Sequence, residues 1–404
     1  MFKRIHKSLR TPSGEPGAQT KKRTAVLHAA AGFVVGLFIL FFMLTGLLLP
    51  DRSFSPNENR NLQGRPHPHE GGITDGSFFK ELSSHMNDQF FLRDAFVSLR
   101  STEEFLLGSR ESHGVFIGKD HYLFANPEMP DPEKLRTLTD AMTAFATQYS
   151  NMTMHMMLVP CAASVIPGKL PANAPVRNQI QDIADFTAGL PEKISFVDAG
   201  AVLRVHAGEQ LYYRTDHHWT SLGAKTVFEG CAAELGIETL PAAYDHVVLS
   251  HSFLGTLGSQ SGHYGTKDMI DLYVPSPATL YYVQIPDAQV TRSSLYDREK
   301  LKEKDQYQVF LGGNHPVVEI RTAAETGKNL LLFKDSYANS FVQFLIPYYD
   351  RIIMIDPRYY YDSLSTVIRS NSITDVLFLY SANTLFTDNS LTDCLVNAAA
   401  GNAA

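Results

Sequence analysis

The chain has 404 residues, 19% of them charged, and a formal charge of −7 at pH 7. That length allows one large domain, or two, around a substantial core, and the acidic balance excludes the basic signature of a nucleic-acid binder. Its three cysteines, Cys161, Cys231 and Cys394, lie far apart, so no disulfide framework or CxxC metal site is written here and the apolar core must hold the fold.

The N-terminal segment carries Lys3, Arg4, Lys7, Arg10, Lys21, Lys22 and Arg23 against the single acid Glu15, and an apolar run follows from Ala25 to Leu49. About 20 apolar residues cross ~30 Å of hydrocarbon as a helix, and basic residues ahead of the span keep the N-terminus in the cytoplasm. The expectation is a cytoplasmic basic tail over 1–24, a single transmembrane anchor over 25–49, and an extracytoplasmic remainder. A cleaved signal peptide is the rival reading; its apolar core is usually ~7–15 residues and ends at a small-residue site, whereas this run ends Gly46-Leu47-Leu48-Leu49-Pro50.

Residues 50–72, rich in Pro, Asn, Arg and Gly, read as an extended linker, with the folded domain expected over 73–404. Phe79, Leu82, Met86, Phe90, Ala95, Phe96 and Leu99 recur at helical spacing, which predicts a buried stripe on two helices broken near Phe90-Phe91. The run Val115 to Phe124 reads as a β-hairpin around Gly118-Lys119-Asp120-His121. A helix from about Pro132 to Tyr149, a buried strand at Met154 to Pro160 and a second strand at Phe196-Val197-Asp198 set an α/β cadence.

Ser221 to Leu235 carries a helical apolar stripe with Gly236 as its C-cap. The stretch of about 241–324 is rich in Tyr, Ser, Gly and Asp and weakly periodic, and reads as an irregular insertion, a lid or substrate platform. Leu330 to Phe333, Arg351 to Ile355 and Asp375 to Tyr380 are then short apolar runs separated by helical segments, one of them from Ser340 to Tyr349. Such runs predict a mainly parallel central sheet covered on both faces, an α/β sandwich.

Reactive groups in open α/β sheets sit at the carboxyl ends of strands. Lys334-Asp335-Ser336-Tyr337 lies at such a position, where Ser336 can present a nucleophilic hydroxyl, although on this stretch alone the simpler reading is that Asp335 or Ser336 caps the next helix. In Thr215-Asp216-His217-His218-Trp219-Thr220, residues two apart face the same way, so Asp216 can orient one nitrogen of His218 while the other acts as a base. The same stretch also fits a metal site of Asp216, His217 and His218, a helix entry with Thr220 as N-cap, or a packed histidine; a metal would need further ligands that no nearby His or Cys pair supplies. Asn383, in Ser381-Ala382-Asn383-Thr384 at a strand end, can donate to an oxyanion or form a turn, and Asn314 is a competing donor. His217, Tyr337 and Arg358 join Asn383 as candidate oxyanion or substrate-binding residues.

Asp216-His217-His218-Trp219 resembles the signature of the DHHW family. The chain is also similar to the wider group of alginate O-acetylation proteins with an SGNH-hydrolase-like domain. Asn57-Glu58-Asn59-Arg60-Asn61-Leu62 resembles that family's segment after the anchor, and Gly114-Val115-Phe116-Ile117-Gly118 through Phe124 its early hairpin. In that group an Asp-x-His-Trp motif precedes a strand-Asp-Ser-helix motif, as here. The resemblance implies an SGNH-hydrolase-like three-layer sandwich in which Asp216 orients, His218 is the base, Ser336 is the nucleophile and Asn383 corresponds by position to the oxyanion-hole asparagine.

It further implies addition or removal of O-acetyl groups on cell-surface polysaccharide at a bacterial cell envelope, with no cofactor or metal and with the acyl donor supplied by a partner, a polytopic membrane O-acyltransferase. The direction, transfer or hydrolysis, stays open. So do two alternatives: a teichoic-acid D-alanylation protein, and a non-catalytic polysaccharide-binding scaffold of the same fold. Tyr264, Tyr273, Tyr281 and Tyr282 of the insertion offer aromatic surfaces to sugar rings, or pack in the core.

Overall fold

The computed structural model describes residues 18–400 apart from Asn59, Glu70 and Gly71, so Lys3, Arg4, Lys7, Arg10 and Glu15 of the basic tail lie outside the described residues. By its contacts the chain divides into two compact units, Met1–Ser55 with Arg60–Phe96, and Pro56–Asn59 with Val97–Ala404.

In the first unit, helix α1 (Ala18–Leu48) contains the stretch Lys22–Gly46, of mean hydropathy 2.4, which is long and apolar enough to cross a membrane. Within the expected linker a two-residue antiparallel pair joins Phe54–Ser55 to Arg60–Asn61. Helix α2 (Ser77–Asp88) ends and α3 (Arg93–Leu106) begins around the expected break. The expected buried stripe is overturned: Phe79, Met86 and Leu99 are 56%, 60% and 62% exposed, and α2 instead buries His85 and Asp88. The reason is polar. The Asp88 carboxylate accepts from both terminal nitrogens of Arg60 and from the Gln63 N–H at 2.8 Å, which turns that face inward.

The second unit is built on an eight-stranded sheet. Its strands are β1 (Thr153–Val159), β2 (Ile194–Val197), β3 (Tyr281–Ile285), β4 (Val290–Arg292), β5 (Val317–Thr322), β6 (Asn329–Lys334), β7 (Arg351–Ile355) and β8 (Asp375–Ser381), in the spatial order β4-β3-β5-β7-β6-β8-β1-β2. The pairs from β7 through β6, β8 and β1 to β2 are parallel. Those among β7, β5, β3 and β4 are antiparallel. Alternate residues of β6 serve two cores: Leu330 and Leu332 join one apolar cluster with Trp219, Phe228 and Phe341, while Leu331 and Phe333 join another with Phe145, Leu364 and Leu395. A strand buried on both faces reads as the continuous apolar run seen in the sequence.

The expected irregular insertion is ordered. Ala243–Phe253 pairs with Asp268–Ser276 as a long antiparallel hairpin, and β3, β4 and β5 extend the main sheet. Most of Ala243–Phe253 is exposed or half-buried on both faces, so no two-residue hydrophobic alternation marks it as a strand. The expected helix over 340–349 is also shorter, an α-turn Ala338–Phe341 followed by 3₁₀ turns.

Strand β6 lies between β7 and β8, the two strands that follow it in the chain. The connection leaving β6 runs to β7 on one side, whereas the connection leaving β1 runs to β2 on the other, and this reversal opens a crevice at the carboxyl ends of the parallel strands, the usual ligand position in such sheets.

Candidate active site

Ser336 stands at that carboxyl end, two residues beyond β6. The buried Asp335 fixes the turn beneath it: one carboxylate oxygen accepts from the Tyr337 N–H and the other from the Ser381 N–H, each at 2.9 Å. The second bond ties the turn to the end of β8. Ser336 itself is half-buried, with its Oγ 2.7 Å from Nε2 of His218.

His218 comes from a tight loop closed by the Tyr212–Trp219 bridge and by the Tyr213 N–H donating to its carbonyl. Its Nδ1 lies 2.6 Å from Asp216 Oδ1, which also accepts the His218 backbone N–H at 3.0 Å. The other Asp216 oxygen accepts from the N–H and hydroxyl of Thr256 at 2.8 and 3.0 Å. Burial by itself would raise the Asp216 carboxyl, but His217, His218 and these hydrogen bonds outweigh it and hold the group well below the usual carboxylate range. An ionised Asp216 only accepts, so it assigns the proton to Nδ1 of His218 and leaves Nε2 to accept from Ser336.

Several groups hold this line in place. The His218 ring stacks on Tyr307 with centroids 3.8 Å apart, and the Tyr307 hydroxyl donates to the Ser336 carbonyl at 3.1 Å. The Trp219 Nε1–H donates to the Tyr337 carbonyl and the Ser340 hydroxyl, at 3.1 and 3.0 Å. The Tyr337 hydroxyl donates to the His217 carbonyl. Burial raises both tyrosine hydroxyls well above their ordinary range, so both remain donors. Behind Asp216, the buried Asp268 accepts from the N–H and hydroxyl of Thr215 at 2.8 and 2.7 Å. Thr220 caps the helix Ser221–Cys231 by accepting from the Gly223 N–H, so the helix entry at Thr220 is compatible with the Asp216–His218 hydrogen bond.

The remaining candidates separate. Asn383 shares a pocket of about 80 Å³ with Tyr337, His217, Cys161, Ala162 and Ala163. Its Oδ1 accepts from Gln179 and from the Glu128 N–H, and among the described residues its Nδ2 has no hydrogen-bond partner. His217 points outward, with a side chain 44% exposed and Nδ1 2.9 Å from the Thr256 hydroxyl. Asn314 instead accepts from the fully buried Lys334 at 3.0 Å, whose ammonium also meets Asp356 at 3.2 Å. Arg358 is committed to Asp356 through two bonds of 2.8 and 2.7 Å, and no hydrogen bond joins it to Ser336 or His218. One ligand atom each of Asp216, His217 and His218 lies within 4.8 Å of the others. Both ring nitrogens of His218 and both Asp216 oxygens, however, are already engaged by protein groups, so a cation there would have to break the Asp216–His218–Ser336 line.

Tyr307, Asp268 and Gln179 were not legible as site residues. The only signals were a tyrosine and an aspartate in the weakly periodic segment and a glutamine at a helix start.

Residues 115–311 match the family model described as the SGNH hydrolase-like domain of acetyltransferase AlgX. The match includes Asp216 and His218 and ends before Ser336. A probable alginate O-acetylase AlgJ from Pseudomonas syringae pv. tomato is 24% identical over 176 residues, covering 41% of this chain and 44% of the relative. The Azotobacter vinelandii protein of the same name is 23% identical over 168 residues, covering 38% and 42%. The chain thus spans less than half the length of these curated relatives. In structure it is similar to a DHHW family protein from Eubacterium siraeum, with a TM-score of 0.61 and 24% identity over 71% of this chain and 96% of that one. It is also similar to PatB1 of Bacillus cereus, at 0.58 and 18% over 68% and 97%. The expected resemblance and α/β fold are borne out: residues 115–311 are similar to an SGNH hydrolase-like domain, and the chain shares the α/β fold of the similar solved structures.

Proposed function

We propose that this is a membrane-anchored serine acyltransferase or esterase that adds or removes O-acetyl groups on cell-surface polysaccharide. The observation that carries the proposal is the continuous hydrogen-bonded line Asp216–His218–Ser336 at the carboxyl end of β6. A serine hydroxyl becomes a competent nucleophile when a positioned base takes its proton.

In this reading, Ser336 Oγ attacks the acyl carbonyl as His218 Nε2 takes its proton, and Asp216 stabilises the imidazolium that results. The tetrahedral oxyanion is met by the Asn383 Nδ2–H and by the Ser336 backbone N–H. Collapse expels the donor's leaving group, which takes the proton from His218 and leaves an acyl ester on Ser336. A sugar hydroxyl, or water, then gives its proton to His218 and attacks that ester, so Ser336 is regenerated. His217 and Tyr337, beside Asn383, contact substrate at the pocket, whose volume of about 80 Å³ suits a group as small as acetyl.

The names of the curated relatives support O-acetylation of polysaccharide. An N-terminus in the cytoplasm and an extracytoplasmic domain are supported by the basic residues ahead of the span Lys22–Gly46. Because acetyl donors are cytoplasmic, a polytopic membrane O-acyltransferase is proposed to pass the acyl group across. No cofactor is required by this chemistry.

The test is hydrolysis of a chromogenic acetyl ester by the full chain in detergent, beside Ser336→Ala, His218→Ala and Asp216→Ala. Loss of activity in all three folded variants supports the proposal. Activity undiminished in Ser336→Ala contradicts it.

A further inference from the structure

We propose that the α2–α3 corner is itself seated in the membrane, with its apolar stripe among lipid acyl chains beside α1. This rests on reading α1 as a membrane anchor.

Phe79, Leu82, Met86 and Phe90 recur at helical spacing along α2 and just past its end. Phe79 and Met86 are 56% and 60% exposed, and beyond α2 Leu92 in the connecting turn is 56% and Phe96 at the start of α3 40% exposed. The same helix buries His85 and Asp88. Water would favour the opposite arrangement, and an exposed apolar stripe of this extent marks an interaction surface. Lys80, Ser84 and Asn87 lie on the other side of α2, exposed. The result is an amphipathic helix of the kind that lies in a bilayer interface, apolar face down.

The depth of this corner is set by α1, and every residue concerned belongs to the same compact unit. Phe42 of α1 stacks on Phe90 with centroids 4.6 Å apart and meets Phe96 at 5.8 Å, while Phe41 meets Phe91 at 5.9 Å. Phe42 lies four residues before Gly46, the last residue of the span, hence ~6 Å inside it at 1.5 Å per residue. The rings of Phe90 and Phe91 are therefore held at the level of the hydrocarbon. Between α1 and α2 runs a groove of about 540 Å³, walled by Phe38, Phe42 and Met43 on one side and by Phe78, Leu82 and Met86 on the other. At that depth its occupant is a phospholipid acyl chain. Such a seat would fix the start of α3 against the bilayer surface.

The experiment uses the full chain in liposomes whose phospholipids are brominated along the acyl chains. Trp219, the only native tryptophan and fully buried, provides the baseline to which one tryptophan is added. Phe79→Trp and Met86→Trp are expected to lose roughly half or more of the added emission, as does the anchor variant Phe38→Trp, whereas Ser84→Trp keeps it. Quenching of Phe38→Trp without quenching of Phe79→Trp and Met86→Trp overturns this proposal and leaves the anchor. Absence of quenching in Phe38→Trp overturns the anchor, and this proposal with it. Shielding of Phe79→Trp from aqueous iodide only when another membrane protein is present, with no effect of lipid bromine, means a protein partner occupies the stripe and also overturns the proposal.

Discussion

The indole of Trp219 donates a hydrogen bond of 3.1 Å to the backbone carbonyl of Tyr337. Each of these residues is the immediate neighbour of a member of the Asp216–His218–Ser336 line, so the bond clasps the histidine loop to the serine turn. The Trp at the end of the Asp-His-His-Trp string is thereby given a physical role. It sets the distance between His218 and Ser336 across more than a hundred residues of intervening chain.

Replacing Trp219 with Phe keeps most of the buried surface but removes the donor, leaving the Tyr337 carbonyl without it. The expected cost is ~1–3 kcal/mol in stability, read by denaturant unfolding, with a fall in kcat larger than any change in KM, because the serine and histidine lose their fixed spacing.

Asp216→Asn should lower kcat for ester hydrolysis by ~10³–10⁴-fold, since the amide no longer imposes the productive imidazole tautomer. The same variant carries a pH signature. Asp216 is held ionised below its ordinary range, so the folded protein binds that proton less readily than the unfolded chain does. The stability gained is complete above the ordinary carboxylate value, ~3.9, and is lost as the pH falls through the lower folded value. The stability gap between wild type and Asp216→Asn is expected to be widest near neutrality and to narrow below about pH 4; a gap that widens on acidification is the contrary result.

Tyr307→Phe preserves the ring stacked on His218 and deletes the hydroxyl that donates to Ser336 and contacts Ser340. A loss of ~1 kcal/mol in stability and of about tenfold in kcat is expected. Tyr307→Ala, which also removes the stack, should cost markedly more in both measurements.

Gly255 approaches the back of Asp216 so closely that a Cβ there would lie 2.3 Å from the Asp216 Cβ and 2.6 Å from the Thr215 carbonyl oxygen. Gly255→Ala should therefore push Asp216 away from His218. The expected outcome is ~1–3 kcal/mol of destabilisation together with a loss of activity that exceeds what the fraction unfolded explains.

The line Asp216–His218–Ser336 was readable because its parts are local: an Asp two residues before a His, and an Asp-Ser at the end of an apolar strand. The parallel strands were readable because burial on both faces makes them uniformly apolar. The hairpin Ala243–Phe253 with Asp268–Ser276 was not, since its side chains are largely exposed and its polar composition mimics loop. Tyr307 and Asp268 escaped notice for a related reason: their roles come from tertiary placement against His218 and Thr215, which no spacing in the sequence encodes. The buried stripe expected on α2 failed because amphipathicity gives two faces without saying which medium each one meets, and Arg60 paired with Asp88 selected the polar one for burial.

The central claim, that Ser336 is the nucleophile, is tested most directly by trapping the acyl-enzyme. The full chain is mixed with an activated acetyl ester, quenched in acid within the first turnover, digested, and the site of acetylation read by mass spectrometry. The account predicts one added acetyl group on the peptide containing Ser336, present in wild type and absent in Ser336→Ala and His218→Ala. Acetylation confined to another residue, or an equal burst in Ser336→Ala, would contradict it.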